Sequence, residues 1–403
     1  MLYANQTNAE PIIKDSALKA DLVTEGLYSP TSMAFVEYHK ILVLEKNTGA
    51  VRLVENGTLQ EKPVLKLKID HTTPTCCRGL LGIAVTDPQL NFKPHDRIVY
   101  LYFSELLSKG TVKNRVYRYE WDGKFLINPT LILDLPATPG PNHPGGKLAI
   151  GKDGFLYTII GDQNNEGLLQ NIKGNAELTD TSVIPKINPN DGKAPPDNPF
   201  FNSGLSESAQ KYYAYGIRNS FGLALDPVTG FLWDTENGDM DYDEINYIPS
   251  GFNSGWKKLM GPLSESRVSH NDLVRLPNSN YLDPAFSFAP SLGITAIEFL
   301  NSSKLGAEYQ NNIFVGDITH GNLYFFKLNS TRNGLQFLEE SHSDLKDLVA
   351  NGNKELLQIA LGIGFKGITD IKTGADGFLY ILTLDQENKG KGSIYKISPS
   401  GSP

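Results

Sequence analysis

The stretch NNIFVGDITHGNLYFFKL, residues 311–328, is two strands and the turn that joins them. Ile313 to Val315 form a short apolar run that Gly316 and Asp317 end. Gly321 and Asn322 then turn the chain into a second run, Leu323 to Phe326. Runs this short, rich in β-branched and aromatic residues and bounded by Gly, Asp and Asn, are strand signals rather than helix signals. The phrase returns as KILVLEKNTGAVRLV from Lys40, DRIVYLYFSE from Asp96, DGFLYTIIGD from Asp153, TGFLWDTENGD from Thr229 and DGFLYILTL from Asp376. In chain order the six starts lie 56, 57, 76, 82 and 65 residues apart. Spacing this irregular does not suit a solenoid of near-identical units, but it suits a ring of four-stranded blades with loops of unequal length.

The expected fold is therefore all-β, a six-bladed β-propeller of four-stranded antiparallel blades. A pair of β-sandwiches and a β-helix are the alternatives. A single domain is expected over 21–400, after a flexible arm over 1–20. Closing a ring requires a strand from one terminus to complete the sheet begun by the other, and the extended segment Leu22 to Leu27 is suited to this. Helix signals are poor, the best lying over 341–357. The Asn- and Pro-rich segment 163–208 is too long for an ordinary blade connection and reads as a rim loop.

The 403 residues are 40% hydrophobic and 20% charged, which describes a globular chain. A net charge of −8 without a run of Lys or Arg argues against a nucleic acid or an anionic membrane as partner. No stretch of 18 apolar residues is present, so no spanning helix is expected; the first ten residues show neither a basic region nor an apolar core, and read equally as a mature N-terminus. The two cysteines, Cys76 and Cys77, are adjacent, so they set no disulfide framework, and whether they bond to each other stays open.

Three polar constellations stand out. The first is Asn142-His143-Pro144-Gly145-Gly146, followed by Asp162-Gln163-Asn164 at the end of the next strand. A His oriented by a carboxylate can abstract a proton, whereas the plainer reading is a His and an Asp that cap turns. The second is Tyr215-Gly216-Ile217-Arg218-Asn219 at a strand entrance, where the Arg either holds a carbonyl or carboxylate or ties two blades together. The third runs from Glu236 to Asn246 and places five carboxylates in nine residues. They repel one another unless a cation or amide donors intervene, and hard oxygen ligands with a turn-forming Gly suit Ca²⁺. A solvated acidic loop is the alternative. After it, PSGFNSGW, residues 249–256, reads as a turn before an aromatic that walls a blade interface.

These segments, together with GLYSPTSMAF, RGLLGIAVTDP, INPNDGKAPPDNPF and GITDIKTGADGFLYILT, resemble the soluble quinoprotein glucose/sorbosone dehydrogenases, the likeness running from residue 26 to 383. The resemblance implies pyrroloquinoline quinone (PQQ) over the central channel, bridged by Ca²⁺ to a loop of the fourth blade. It implies His143 as the base, Asp162 as its orienter, Arg218 as the group that stabilises a developing oxyanion, and Asn219 as a cofactor contact. It implies a metal on the main-chain carbonyls of Gly238 and Asp239 near Asp243, with Glu244 and Glu236 in the same acidic turn. A sugar or similar alcohol as substrate, an external electron acceptor and an extracellular or periplasmic location follow from the same likeness; oligomeric state does not.

The chain departs from the family in places that matter. Asp239 stands where Pro is usual. The fifth-blade Lys is missing from residues 316–321, with His320 as its partial replacement. Gly367 and Thr369 occupy the places of a sixth-blade Arg pair, and Cys77 or Arg78 replaces a Gln. Each lost cation forfeits a charge-assisted bond of ~1.5–3 kcal/mol to a tricarboxylate cofactor. The rival expectation is a noncatalytic propeller that binds a glycan or protein on its loop-rich face.

Overall fold

The computed structural model describes residues 10–70, 77–86, 97–174, 177–337, 344–388 and 390–401. Their strands make six sheets. In chain order the innermost strands are Pro30–Glu37, Leu80–Val85, Leu148–Ile150, Ser220–Leu225, Ile294–Phe299 and Gly367–Thr373. Each packs against the next, and the last returns to pack against the first, so the innermost strands close a ring. The fold is an all-β propeller.

The sequence of each strand follows from this arrangement. Sheets that stand face to face bury both surfaces, so a central strand such as Lys40–Glu45 is nearly continuous in apolar residues instead of alternating. The core is accordingly divided into wedges. Trp233, Phe286, Phe288, Tyr324 and Phe326 pack between the fourth and fifth sheets, and Leu42, Leu44, Val99, Leu101 and Trp121 between the first and second. Removing one such side chain to Ala costs about 2–5 kcal/mol.

Leu18–Tyr28 pairs antiparallel with Lys391–Pro399 and completes the sixth sheet, extending the ring-closing strand expected at 22–27 in both directions. The arm expected over 1–20 is part of the fold from Glu10 onward. Ile12–Ile13 joins the edge of the fifth sheet beside Gly362 and Ile363, and Asp15 accepts a hydrogen bond from Tyr309 at 2.7 Å. An edge strand with unpaired main-chain groups takes up an extended segment in this way. The segment 163–208 is not purely loop either. Val183–Ile187 is a fully buried strand of the third sheet, because its apolar residues fill the space between Leu156–Thr158 and Tyr212–Tyr215. The helix signal over 341–357 shortens to Asn353–Ile359 within the described residues. No helix among those residues is long and apolar enough to cross a membrane. Cys76 lies outside them.

Candidate functional site

His143 lies on the loop that enters the third sheet, and Asp162 on the loop that leaves its second strand. His143 Nδ1 and Asp162 Oδ1 are 2.7 Å apart. His143, Gln163 and Asn164 all take left-handed backbone conformations, at φ +57°, +52° and +62°. Three such non-glycine residues in one place cost conformational energy, which the surroundings must hold. The hold is visible: Gln163 Nε2 donates to the His143 carbonyl, and Gly145 N donates to Asn219 Oδ1 at 3.3 Å. Between them sits Gly161, where a Cβ would lie 2.4 Å from the Arg218 carbonyl and 2.6 Å from that of His143. Only glycine lets these three backbones meet.

Asp162 Oδ2 accepts the indole N–H of Trp256 at 2.8 Å, and Asn164 N donates to Oδ1 at 2.9 Å. Burial alone would raise the Asp162 pKa. The hydrogen bond and charge of His143, with the Asn164 and Trp256 donors, outweigh burial and hold it below the usual carboxylate value. The Trp256 ring also faces Arg218, with the guanidinium carbon 5.2 Å from the ring centroid. Arg218 Nη1 donates to the Asn237 carbonyl at 3.1 Å, and Nη2 pairs with the exposed Asp239 carboxylate at 3.3 Å. Its Nε is buried without a hydrogen-bond partner among the described residues.

The acidic turn behaves differently from the cation site expected of it. Asp243 Oδ1 accepts Gly238 N and Ser291 Oγ, and Oδ2 accepts the N–H groups of Leu292, Gly293 and Ile294, all within 3.1 Å. Glu236 accepts Arg218 N and Ser254 Oγ, while Glu244 accepts Gly261 N and Asn246 Nδ2. Protein donors therefore satisfy the carboxylates of Glu236, Asp243 and Glu244. No group of three or more His, Cys, Asp or Glu side chains among the described residues is arranged to hold a metal. Burial pushes the Glu236 carboxyl well up, with Coulombic repulsion from Glu244 adding to the rise, and pushes Glu244 up to about 8. What remains for a hard cation is the pair of main-chain carbonyls of Gly238 and Asp239, which accept no hydrogen bond among the described residues.

At the ring axis lies a cavity of about 590 Å³ with walls from all six sheets, including Thr31, Leu81, Gly145, Asn237, Thr295 and Thr369. It adjoins the His143 cluster through Gly145 and through Asn237, whose carbonyl Arg218 holds. Among the described residues two lysines, Lys46 and Lys147, line it, and no carboxylate does.

The structure thus gathers His143, Asp162, Arg218, Asn219, Glu236, Gly238 and Asp239 into one cluster, with Asp243 and Glu244 behind it. Two residues expected at the cofactor lie elsewhere. Arg78 Nη1 pairs with buried Asp70 at 3.0 Å, and Nη2 donates to the Ala137 carbonyl, so its charge braces the loop leading to His143. His320 opens onto an adjoining cleft between the fifth and sixth sheets, which shares Ile318, Leu384 and Gln386 with the axial cavity and is lined also by Lys366 and Asp385, and its N–H caps the buried Asp317 carboxylate. Trp256, Lys46 and Lys147 are additions to the site. Trp256 was visible in the sequence only as a large aromatic after a turn, since its partner Asp162 is 94 residues away.

The glucose/sorbosone dehydrogenase family model matches residues 27–396. The chain is 29% identical to the uncharacterized protein slr1608 of Synechocystis sp., over 95% of this chain and 90% of that one. It is 26% identical to the aldose sugar dehydrogenase YliI of Escherichia coli, over 67% of this chain and 64% of that protein, just under two thirds of the relative's length. Among solved structures, the PQQ-bound form of aldose sugar dehydrogenase from Streptomyces coelicolor matches with a TM-score of 0.66 at 22% identity, over 96% of this chain and 99% of that chain, a likeness of fold. The family match runs through every segment that builds the His143 cluster, and the chain belongs to the glucose/sorbosone dehydrogenase family.

Proposed function

We propose that this chain is a quinone- and calcium-dependent oxidoreductase that oxidises an aldose sugar or similar alcohol, built on six blades that correspond to the six sheets. The observation that carries the reading is the relay Trp256–Asp162–His143 beside Arg218, at the edge of an axial cavity that no carboxylate lines among the described residues.

The relay fixes a tautomer. Asp162 is held ionised and can only accept, so His143 Nδ1 carries the ring proton and Nε2 keeps its lone pair. Nε2 then takes the substrate hydroxyl proton, and Asp162 stabilises the imidazolium that results. The buried, unpartnered Nε of Arg218 and its clamp on the Asn237 carbonyl place a fixed positive charge next to the reacting centre, where negative charge develops on an acceptor. The cavity fits an acidic cofactor by Lys46, which makes no ion pair among the described residues, and the carbonyls of Gly238 and Asp239, which accept no hydrogen bond among those residues, fit Ca²⁺. When bound, the quinone supplies a hydride acceptor and the cation a Lewis acid. By family likeness, an external acceptor would reoxidise the cofactor, and the location would be extracellular or periplasmic.

The neutral Thr369 on the sixth sheet, where a cation would strengthen cofactor binding, favours the second reading, a noncatalytic propeller that binds a glycan or protein. Reconstitution with PQQ and Ca²⁺ decides between them. Dye reduction with aldoses is expected, and His143→Gln is expected to lower turnover by about 10²-fold or more while leaving the fold intact. Cofactor binding without turnover on any aldose or alcohol would leave the noncatalytic reading.

A further inference from the structure

Lys46 follows the strand Lys40–Glu45 on the turn at the inner end of the first sheet. Its main chain is pinned on both sides, with its N–H donating to the Ser29 carbonyl at 2.9 Å and its carbonyl accepting Leu80 N at 3.2 Å. The side-chain stem runs over Gly79, where a Cβ would lie 2.7 Å from Lys46 Cγ and 2.5 Å from its carbonyl oxygen. Any other residue at 79 would displace it, and φ of +142° at that glycine is itself unfavourable for a side chain. The lysine is therefore seated, half-buried, on the wall of the axial cavity.

The two cavity lysines differ in what they have left to offer. Lys147 Nζ is committed to Asp370 at 2.9 Å and to Ser32 Oγ at 2.7 Å, a compensated and fixed charge. Lys46 makes no ion pair among the described residues, and its cavity neighbours Ser29, Thr31 and Asn47 are neutral. A lysine on the wall of a cavity that no carboxylate lines among the described residues has the chemistry to receive an anion. Resting on the proposed function, we infer that Lys46 binds a carboxylate of the quinone from the first-sheet side, in place of the cations missing from the fifth and sixth sheets. Lys46, with Asn47 beside it, would then hold the carboxylate that the neutral Thr369 cannot.

The test is equilibrium binding in the presence of Ca²⁺, followed by quenching of tryptophan fluorescence, with PQQ and its trimethyl ester as paired probes. Wild type is expected to prefer the free acid. Lys46→Met is expected to raise the Kd for PQQ by about tenfold or more and to leave that for the triester unchanged, while Lys46→Arg retains most of the affinity. An unchanged melting temperature for Lys46→Met would show that the loss is local. Equal PQQ binding by wild type and Lys46→Met would overturn the inference and leave the proposed function standing. Failure of wild type to bind either probe would remove the proposed function and this inference with it.

Discussion

Trp256 donates its indole N–H to Asp162 Oδ2 at 2.8 Å across 94 residues of chain, and so ties the loop after Phe252–Asn253 to the carboxylate that pairs with His143. Replacing Trp256 with Phe keeps most of the ring that faces Arg218 but deletes the donor. A hydrogen bond to a charged group contributes about 1.5–3 kcal/mol. The expected result is a fall in kcat larger than the change in KM, because Asp162 holds His143 less firmly.

The same substitution shifts acid stability. The folded-state pKa of Asp162 is depressed, so its contribution is complete above the unfolded value near 3.8 and disappears as pH falls through the lower folded value. Without the indole donor that value rises, and acid unfolding followed by circular dichroism is expected to begin at a higher pH in Trp256→Phe than in wild type.

Why the pairing of His143 with Asp162 was legible and the Trp256 contact was not is a matter of range. His143 and Asp162 flank one hairpin, 19 residues apart, and each sits in a distinctive local phrase. Strand repeats likewise announce themselves locally, through runs such as Leu379 to Leu382 closed by turns. The Trp256 contact, and Lys46 with Lys147 in one cavity, exist only after non-consecutive sheets have been brought round a common axis. Acidic density left a cation or amide donors open for a related reason: the N–H donors of Leu292, Gly293 and Ile294 that meet Asp243 arrive from 49 to 51 residues away.

That rearrangement of donors carries its own prediction. Asp243 accepts five hydrogen bonds, three of them from consecutive backbone amides, which join the fourth sheet to the start of the fifth. Asn in its place turns an –NH₂ toward N–H groups and leaves amides unpaired. Asp243→Asn is expected to destabilise by roughly 3 kcal/mol or more in urea unfolding. Because the clamp needs no metal, chelator is expected to leave the melting temperature of the cofactor-free protein unchanged while preventing retention of the quinone.

Asp234 predicts the opposite dependence on pH. It is fully buried, with Ser220 Oγ on one oxygen and no partner for Oδ1 among the described residues, and burial pushes its pKa up to about 7. Between the unfolded value of 3.8 and about 7 the folded state binds more protons than the unfolded one, so stability falls as pH rises through that interval. Asp234→Asn removes this charge. Its melting temperature relative to wild type is expected to climb steadily from pH 4 to pH 7 in parallel scans.

Arg332 and Asp226 form a bidentate ion pair between the fourth and fifth sheets. Nε meets Oδ2 at 2.6 Å, Nη2 meets Oδ1 at 2.7 Å, and Nη2 also donates to the Asn311 carbonyl. Asp226 is inaccessible to solvent, and Val228 N and Thr229 Oγ1 complete its acceptor set. Removing the guanidinium leaves a buried carboxylate without its counter-charge, so Arg332→Met is expected to cost about 3–5 kcal/mol. Asp226→Asn in the Arg332→Met background removes that stranded charge. The double variant is therefore expected to be more stable than Arg332→Met alone, and a double-mutant cycle in urea reads the coupling directly. Additive losses would mean that the pair is solvated and contributes little, despite its bidentate geometry.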